Sequence, residues 1–109
     1  MSIEHLENNE EIMEIVDIIL NAVPVTAIYI FGSFANGTAG EDSDYDFYVV
    51  IPDNSYRARE ATWIIREGLV GKQKRGIDML VGTQSKFNNN INKYSIENEV
   101  IKTGVKLYG

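Results

Sequence analysis

The sequence contains no cysteine and only one histidine, His5. These absences exclude a disulfide framework, a thiolate zinc site and an all-histidine metal site. Any bound metal must therefore be held by oxygen ligands. His5 precedes the first predicted helix, and we expect it on the surface rather than in a catalytic role.

Long apolar runs and an excess of basic residues are also missing. No stretch approaches the roughly 20 apolar residues that span a bilayer, and the acidic N-terminal segment is unlike a secretory signal. The chain has 10 basic and 16 acidic residues, a formal net charge of −6, which argues against a protein built to grip nucleic acid. We expect a cytoplasmic protein with a single domain, residues 1–109.

Helical and strand periodicities alternate along the chain. Apolar residues at helical spacing predict a first helix over about Asn9–Asn21, capped by Asn8 or Asn9, with Ile3 and Leu6 adding an earlier turn. A β-branched and aromatic run from Val25 predicts a strand that ends at Gly32. The stretch from Gly32 to Ser43 is rich in turn-forming residues, which predicts a loop with one helical turn.

The second half of the chain continues the alternation of strands and helices. The predicted elements are a strand over Tyr45–Ile51, a helix capped by Ser55, a strand over Ile77–Val81, short helices after Ser85 and a short strand over Val105–Tyr108. Trp63 and the strand aromatics Tyr45 and Phe47 are expected in the core. This order predicts an α+β fold, an α/β two-layer arrangement of a mixed sheet flanked by helices.

Three aspartates stand out against this framework. Asp44 and Asp46 are two residues apart at the start of a strand, so both project from one face with Cα atoms about 6.6 to 6.8 Å apart. Asp78 interrupts an apolar strand, where a buried, unpaired carboxylate would be costly. Considered singly, each is more often a solvated acid than a ligand. Together in one cleft they would supply oxygen ligands for one or two Mg²⁺ ions.

The segment Gly32-Ser33 follows a buried strand directly. Glycine permits close backbone approach at such a turn, and amides at the start of a helical turn bind anions. An ordinary polar turn is the alternative. Other glycine-rich and acidic motifs do not fit, because the loop lacks a Walker ending and Phe47 occupies the glycine position of an EF-hand calcium loop.

The combined pattern resembles a known family. Gly32-Ser33, ten intervening residues and Asp44-Tyr45-Asp46 are similar to the GSx10DxD signature of minimal nucleotidyltransferases in the DNA polymerase β superfamily, in the string FGSFANGTAGEDSDYDFYVV. Asp78 in GIDMLVGT matches the third aspartate of that family, and the resemblance extends over most of the chain. It implies a polymerase-β-like nucleotidyltransferase fold.

The resemblance also implies an activity. Asp44, Asp46 and Asp78 would hold Mg²⁺, in a two-metal site, and Asp78 would help activate an acceptor hydroxyl. Gly32 and Ser33 would bind the triphosphate of a nucleotide, ATP by analogy. The minimal subgroup pairs with small all-helical HEPN-domain toxins, so the implied reaction is AMP transfer onto a tyrosine of that partner by an antitoxin. A homo- or hetero-oligomer is compatible with this.

One departure from the family pattern supports a second hypothesis. Asn36 stands where the family often carries a basic residue, which would weaken the grip on phosphate. Lys72, Lys74 and Arg75 would replace that charge, or they belong to a solvated loop. The alternative is a catalytically weak or inactive nucleotidyltransferase-fold module that neutralises or scaffolds its partner by contact alone.

Overall fold

The computed structural model describes residues 9–40, 42–72 and 75–109. Helix α1 spans Glu10–Ala22, and the Asn9 side chain caps it by accepting a hydrogen bond from the Ile12 amide at 3.1 Å. The predicted first helix is thereby confirmed with Asn9 as its cap. The predictions that concern Ile3, His5, Leu6 and Asn8 lie outside the described residues.

The remaining elements follow the predicted order. They are β1 (Ala27–Phe31), α2 (Ser33–Asn36), β2 (Tyr45–Ile51), α3 (Ala58–Leu69), β3 (Ile77–Thr83), α4 (Gln84–Asn90), α5 (Ile96–Thr103) and β4 (Val105–Tyr108). Short helices α4 and α5 occupy the polar segment where the sequence indicated them only weakly. Each has its own cap, since Thr83 accepts from the Lys86 amide and Ser95 from the Asn98 amide.

The four strands form one mixed sheet in the order β3-β2-β1-β4. Strand β1 runs antiparallel to both β2 and β4, whereas β2 and β3 are parallel and are joined through α3. The predicted mixed sheet flanked by helices is confirmed, and helices contact both of its faces. One face carries α1 and α3, and the other is partly covered by α4 and α5.

Alternation along β2 assigns its side chains to the two faces. Phe47 and Val49 belong to the larger core under α1 and α3, whereas Tyr48 and Val50 belong to a smaller core with Phe87 and Val100. Asp46 therefore lies on the face that α4 and α5 cover only in part. This face is where a ligand can reach the sheet.

Two predictions about α3 are wrong. Ser55 does not cap it; its hydroxyl donates to the Pro52 carbonyl at 2.6 Å in the preceding turn. The helix begins two residues after Tyr56, with the Arg57 amide donating to the Glu60 carboxylate at 3.2 Å. Trp63 does not lie in the core either, because 66% of its surface is exposed, while the helix buries its opposite face.

Candidate active site

The turn after β1 requires glycine. Gly32 has a φ of 70°, a left-handed conformation that side chains disfavour, and its carbonyl accepts from the amides of Ala35 and Asn36 at 3.1 Å each. A Cβ atom at Gly32 would clash with the carboxylate of Asp46. The start of α2 can therefore approach that carboxylate only because residue 32 has no side chain.

Parallel pairing of β2 and β3 places two predicted site residues side by side. Asp46 is directly opposite Asp78 in the strand register, so that the Asp78 carboxyl lies close enough to raise the pKa of Asp46. Asp44 precedes β2 and approaches the chain just before β3, where a Cβ on Gly76 would lie 2.5 Å from Asp44 Oδ1. The segment before β3 thus lies against one side of the Asp44 carboxylate.

The electrostatics of this cluster are unfavourable for an isolated set of carboxylates. Burial, the hydrogen bond and charge of Asp78, and then the charge of Asp44 raise the pKa of Asp46 to about 6. Asp46 is half-buried, whereas Asp44 and Asp78 are exposed. A divalent cation at this point would remove the mutual repulsion, so the donor set fits a hard, oxygen-preferring ion such as Mg²⁺.

These carboxylates do not form a ready-made cage. Within residues 9–40, 42–72 and 75–109, no three acidic or histidine side chains are grouped as a metal site. The structure places Asp78 opposite Asp46, and Asp44 acts on Asp46 through its charge. Such a partial set is compatible with Mg²⁺, which usually takes one or two carboxylates together with substrate phosphates and water.

Arg75 organises the loop between the glycine turn and the aspartates. Its Nη1 donates to the carbonyls of Gly40 and Ser43, each at 3.0 Å, and its guanidinium lies over the rings of Phe34 and Tyr45 at 5.2 and 5.9 Å. Arg75 is therefore neither a solvated loop residue nor a free phosphate ligand. No periodicity or spacing in the sequence indicates this role.

Tyr45 ties the site to the first helix. Its hydroxyl donates to Glu11 at 2.6 Å, and burial, followed by that hydrogen bond, raises the pKa of Tyr45 to about 12. Tyr45 and Phe47 are both buried, as the sequence predicted. The residue between Asp44 and Asp46 is therefore a structural anchor.

A sequence family described as a nucleotidyltransferase domain matches residues 12–103, well over half of the chain. The chain belongs to this family. The expected family membership and fold are confirmed, and nucleotidyl transfer is the activity that the family shares.

Solved structures of the same fold include toxin–antitoxin pairs. One, with AMP-PNP, has a TM-score of 0.68 and 22% identity over 92% of this chain and 73% of the other. A variant of the MntA–HpeT pair with two aspartates changed to glutamate has a TM-score of 0.65 and 20% identity over 89% of this chain and 72% of the other. A candidate nucleotidyltransferase from Sulfolobus solfataricus has a TM-score of 0.62 and 18% identity over 89% of this chain and 76% of the other. No curated protein sequence matches this chain.

Two further features of the nucleotidyltransferase domain bear on the sequence predictions. Asn36, in the position of the family's basic residue, accepts hydrogen bonds from the amide and hydroxyl of Thr38 at 3.1 and 2.6 Å. It shapes the turn after α2 and adds no charge. Lys72 is exposed, and Lys74 lies outside the described residues. No helix in the described part of the chain is long and apolar enough to cross a membrane.

Proposed function

We propose that this nucleotidyltransferase transfers AMP from ATP, with Mg²⁺, to a hydroxyl of a partner protein, a tyrosine of a HEPN-domain toxin, and so acts as an antitoxin. Residues 1–109 would form one minimal domain that relies on the partner to present the acceptor. The observation that carries the proposal is the placement of Asp46 opposite Asp78 in the strand register and against the Gly32 turn.

Each site residue has a role in this proposal. Asp44, Asp46 and Asp78 would hold Mg²⁺, which when bound supplies positive charge to the triphosphate and to the acceptor oxygen. The backbone amides of the first residues of α2 and the Ser33 hydroxyl would bind the phosphates, and Gly32 allows them to approach. Asp78, exposed and on the accessible face of the sheet, would take the proton of the acceptor hydroxyl.

The reaction is a single displacement at the α-phosphorus. The acceptor oxygen forms a bond to that phosphorus, the bond to the β-phosphate oxygen breaks, and pyrophosphate leaves. Two structural relatives are toxin–antitoxin assemblies, one of them with AMP-PNP, which supports a nucleotide and a protein partner. The aspartates changed in one relative are two residues apart, the spacing of Asp44 and Asp46 in this chain.

The proposal is tested by incubating the protein with Mg²⁺, α-labelled ATP and the product of the neighbouring gene. We expect the label on that partner, no label from γ-labelled ATP, and loss after partner Tyr→Phe replacement. Asp44→Asn and Asp46→Asn should each reduce labelling by about 100-fold or more, as the loss of one transition-state electrostatic contact does elsewhere.

Asp42→Asn is the matched control, because Asp42 is an exposed acid in the same loop. It should label the partner at the wild-type rate. The enzymatic proposal would be overturned if the partner stayed unlabelled while the wild type and Asp46→Asn neutralised it equally well. The protein would then be a binding module.

A further inference from the structure

Arg75 holds the turn that leads into Asp44. Its Nη1 donates to the carbonyls of Gly40 and Ser43, each at 3.0 Å, and Ser43 directly precedes Asp44. The turn also has hydrogen bonds of its own, because the Ser43 amide donates to the Gly40 carbonyl at 3.2 Å and the Gly40 amide donates to the Ser43 hydroxyl at 2.8 Å. Arg75 therefore ties this turn to the segment that leads into β3.

The same guanidinium packs against α2. It lies 5.2 Å from the centre of the Phe34 ring and 5.9 Å from the centre of the Tyr45 ring, and the two ring centres are 4.6 Å apart. Phe34 follows Ser33 in the helix whose first amides would bind phosphates, and Tyr45 follows Asp44. A planar guanidinium can cover aromatic rings and donate hydrogen bonds at the same time. Arg75 therefore connects the proposed phosphate-binding turn with the turn before Asp44.

The position of Asp44 depends on its loop more than the positions of the other two aspartates do. Asp46 and Asp78 lie within paired strands, and the strand register fixes them opposite each other. Asp44 precedes β2, which begins at Tyr45, and its side chain is exposed. A residue outside the hydrogen-bonded strands keeps more backbone freedom unless another contact restrains it. Arg75 supplies for Asp44 the restraint that the sheet supplies for the other two.

We propose that Arg75 is a positioning residue of the nucleotidyltransferase site, which holds Asp44 where one complex of Mg²⁺ and nucleotide can contact this carboxylate and the start of α2 together. This role rests on the proposed function of the site. Arg75 acts through the turn and not on the reacting groups, since both N–H groups of its Nη1 are taken by backbone carbonyls. Its removal should loosen the connection between the metal-binding and phosphate-binding parts and leave the fold of each part intact.

The coupling between ATP and Mg²⁺ tests this role by binding alone. Titration calorimetry of the wild type should show that Mg²⁺ strengthens the binding of ATP. Arg75→Ala should reduce this strengthening on the order of tenfold, because the ligands must then order the backbone of about one more residue at Asp44. ATP in EDTA should bind equally weakly to both proteins. A general loss of folding would weaken ATP binding under both conditions, so the two measurements separate positioning from stability.

Hydrogen exchange tests the turn in the metal-free protein. The Ser43 amide, which donates to Gly40, should exchange roughly tenfold faster in Arg75→Ala than in the wild type, whereas the Phe47 amide inside β2 should exchange at the same rate in both. Guanidinium ion, far below the concentrations that unfold proteins, should restore the slow exchange and the coupling in Arg75→Ala, because it can take the place of the missing side chain. Sodium chloride at the same concentration should restore neither.

Two further variants complete the test. Arg75→Lys keeps the charge without the planar fork, so it should lose most of the coupling as Arg75→Ala does. Arg59→Ala is the matched control, because Arg59 is exposed on α3, which packs on the face of the sheet opposite Asp46. Coupling that is unchanged in Arg75→Ala, or complete in Arg75→Lys, would overturn the proposal. A wild type that couples ATP to Mg²⁺ but labels no partner would overturn only the proposed AMP transfer.

Discussion

At the scale of single residues, Asp46 is held in an environment that suits a cation better than an empty site. Its raised pKa of about 6 means that the folded, metal-free chain disfavours its ionised form. The unfolded chain ionises it near pH 3.9. The loss of folding stability caused by ionising Asp46 is therefore absent below about pH 4. It grows as the pH rises toward 6 and is complete above that value.

We therefore expect Asp46→Asn to stabilise the metal-free protein at pH 8 while it abolishes activity. The gain in unfolding free energy should be on the order of 1 kcal/mol, because solvent around Asp46 screens part of the cost of its ionisation. The amide can also donate to Asp78, which the ionised carboxylate cannot. Urea unfolding in EDTA at pH 8 and pH 4 measures the effect.

At pH 4 the two proteins should differ little, and Asp42→Asn should match the wild type at both values. An Asp46→Asn protein less stable than the wild type at pH 8 would contradict this account of the site. Added Mg²⁺ should reduce the advantage of the variant, because it stabilises only the carboxylate that binds it.

At the scale of secondary-structure elements, α5 is fastened to the strand that carries Asp46. The Tyr48 hydroxyl donates to Glu97 Oε2 at 2.6 Å, and both side chains are buried, Glu97 with only 3% of its surface exposed. Burial, and then Glu97, raises the pKa of Tyr48. A carboxylate buried at this depth depends on its hydrogen-bond donor.

We expect Tyr48→Phe to cost about 2–4 kcal/mol of unfolding free energy, because it leaves the Glu97 carboxylate buried without that donor. Glu97→Gln should cost about 1 kcal/mol, since the amide oxygen still accepts from Tyr48. Denaturant unfolding measures both. Tyr108→Phe, at an exposed tyrosine, is the control and should change little. Equal losses from the first two substitutions would show that the buried charge is not the source of the cost.

The elements with strong periodicity were predictable, and those defined by context were not. Helix α1 and strand β2 have one continuous apolar pattern and agree closely with the structure. Ser55 resembles a cap in sequence, but its hydroxyl is taken by Pro52, so α3 starts later. Trp63 was expected in the core because it falls within a predicted helix, but its helical phase opposes that of Ala61 and Ile65.

At the scale of the whole molecule, the site depends on strand order. Asp78 follows Asp46 by a helix and a loop in sequence, and only the parallel pairing of β2 and β3 brings the two carboxylates together. The sequence supplied the residue types and their spacing, but the register between strands depends on how α3 crosses the sheet. The fastening of the loop by Arg75 depends on the same crossing, which is why no local pattern indicated it.

Binding of ligands to the complete site should increase the stability of the folded protein. Nucleotide phosphates would complete a cation site that the chain supplies only in part, so ATP and Mg²⁺ should bind together and neither strongly alone. At about 100 times the dissociation constant the pair should stabilise the fold by about 2.7 kcal/mol, a rise in melting temperature of more than about 5 °C. Thermal melts with ATP, with Mg²⁺ and with both measure this.

Asp46→Asn supplies the decisive comparison for these melts, because it should begin with the higher melting temperature without ligand and gain the least from ATP with Mg²⁺. A general loss of folding would lower both values, whereas loss of the cation site alone reverses the order of the two proteins as ligand is added. If ATP stabilised the wild type equally in EDTA, the acidic cluster would have no part in nucleotide binding. The Gly32 turn would then bind the phosphates unaided, and the carboxylates beside it would need another explanation.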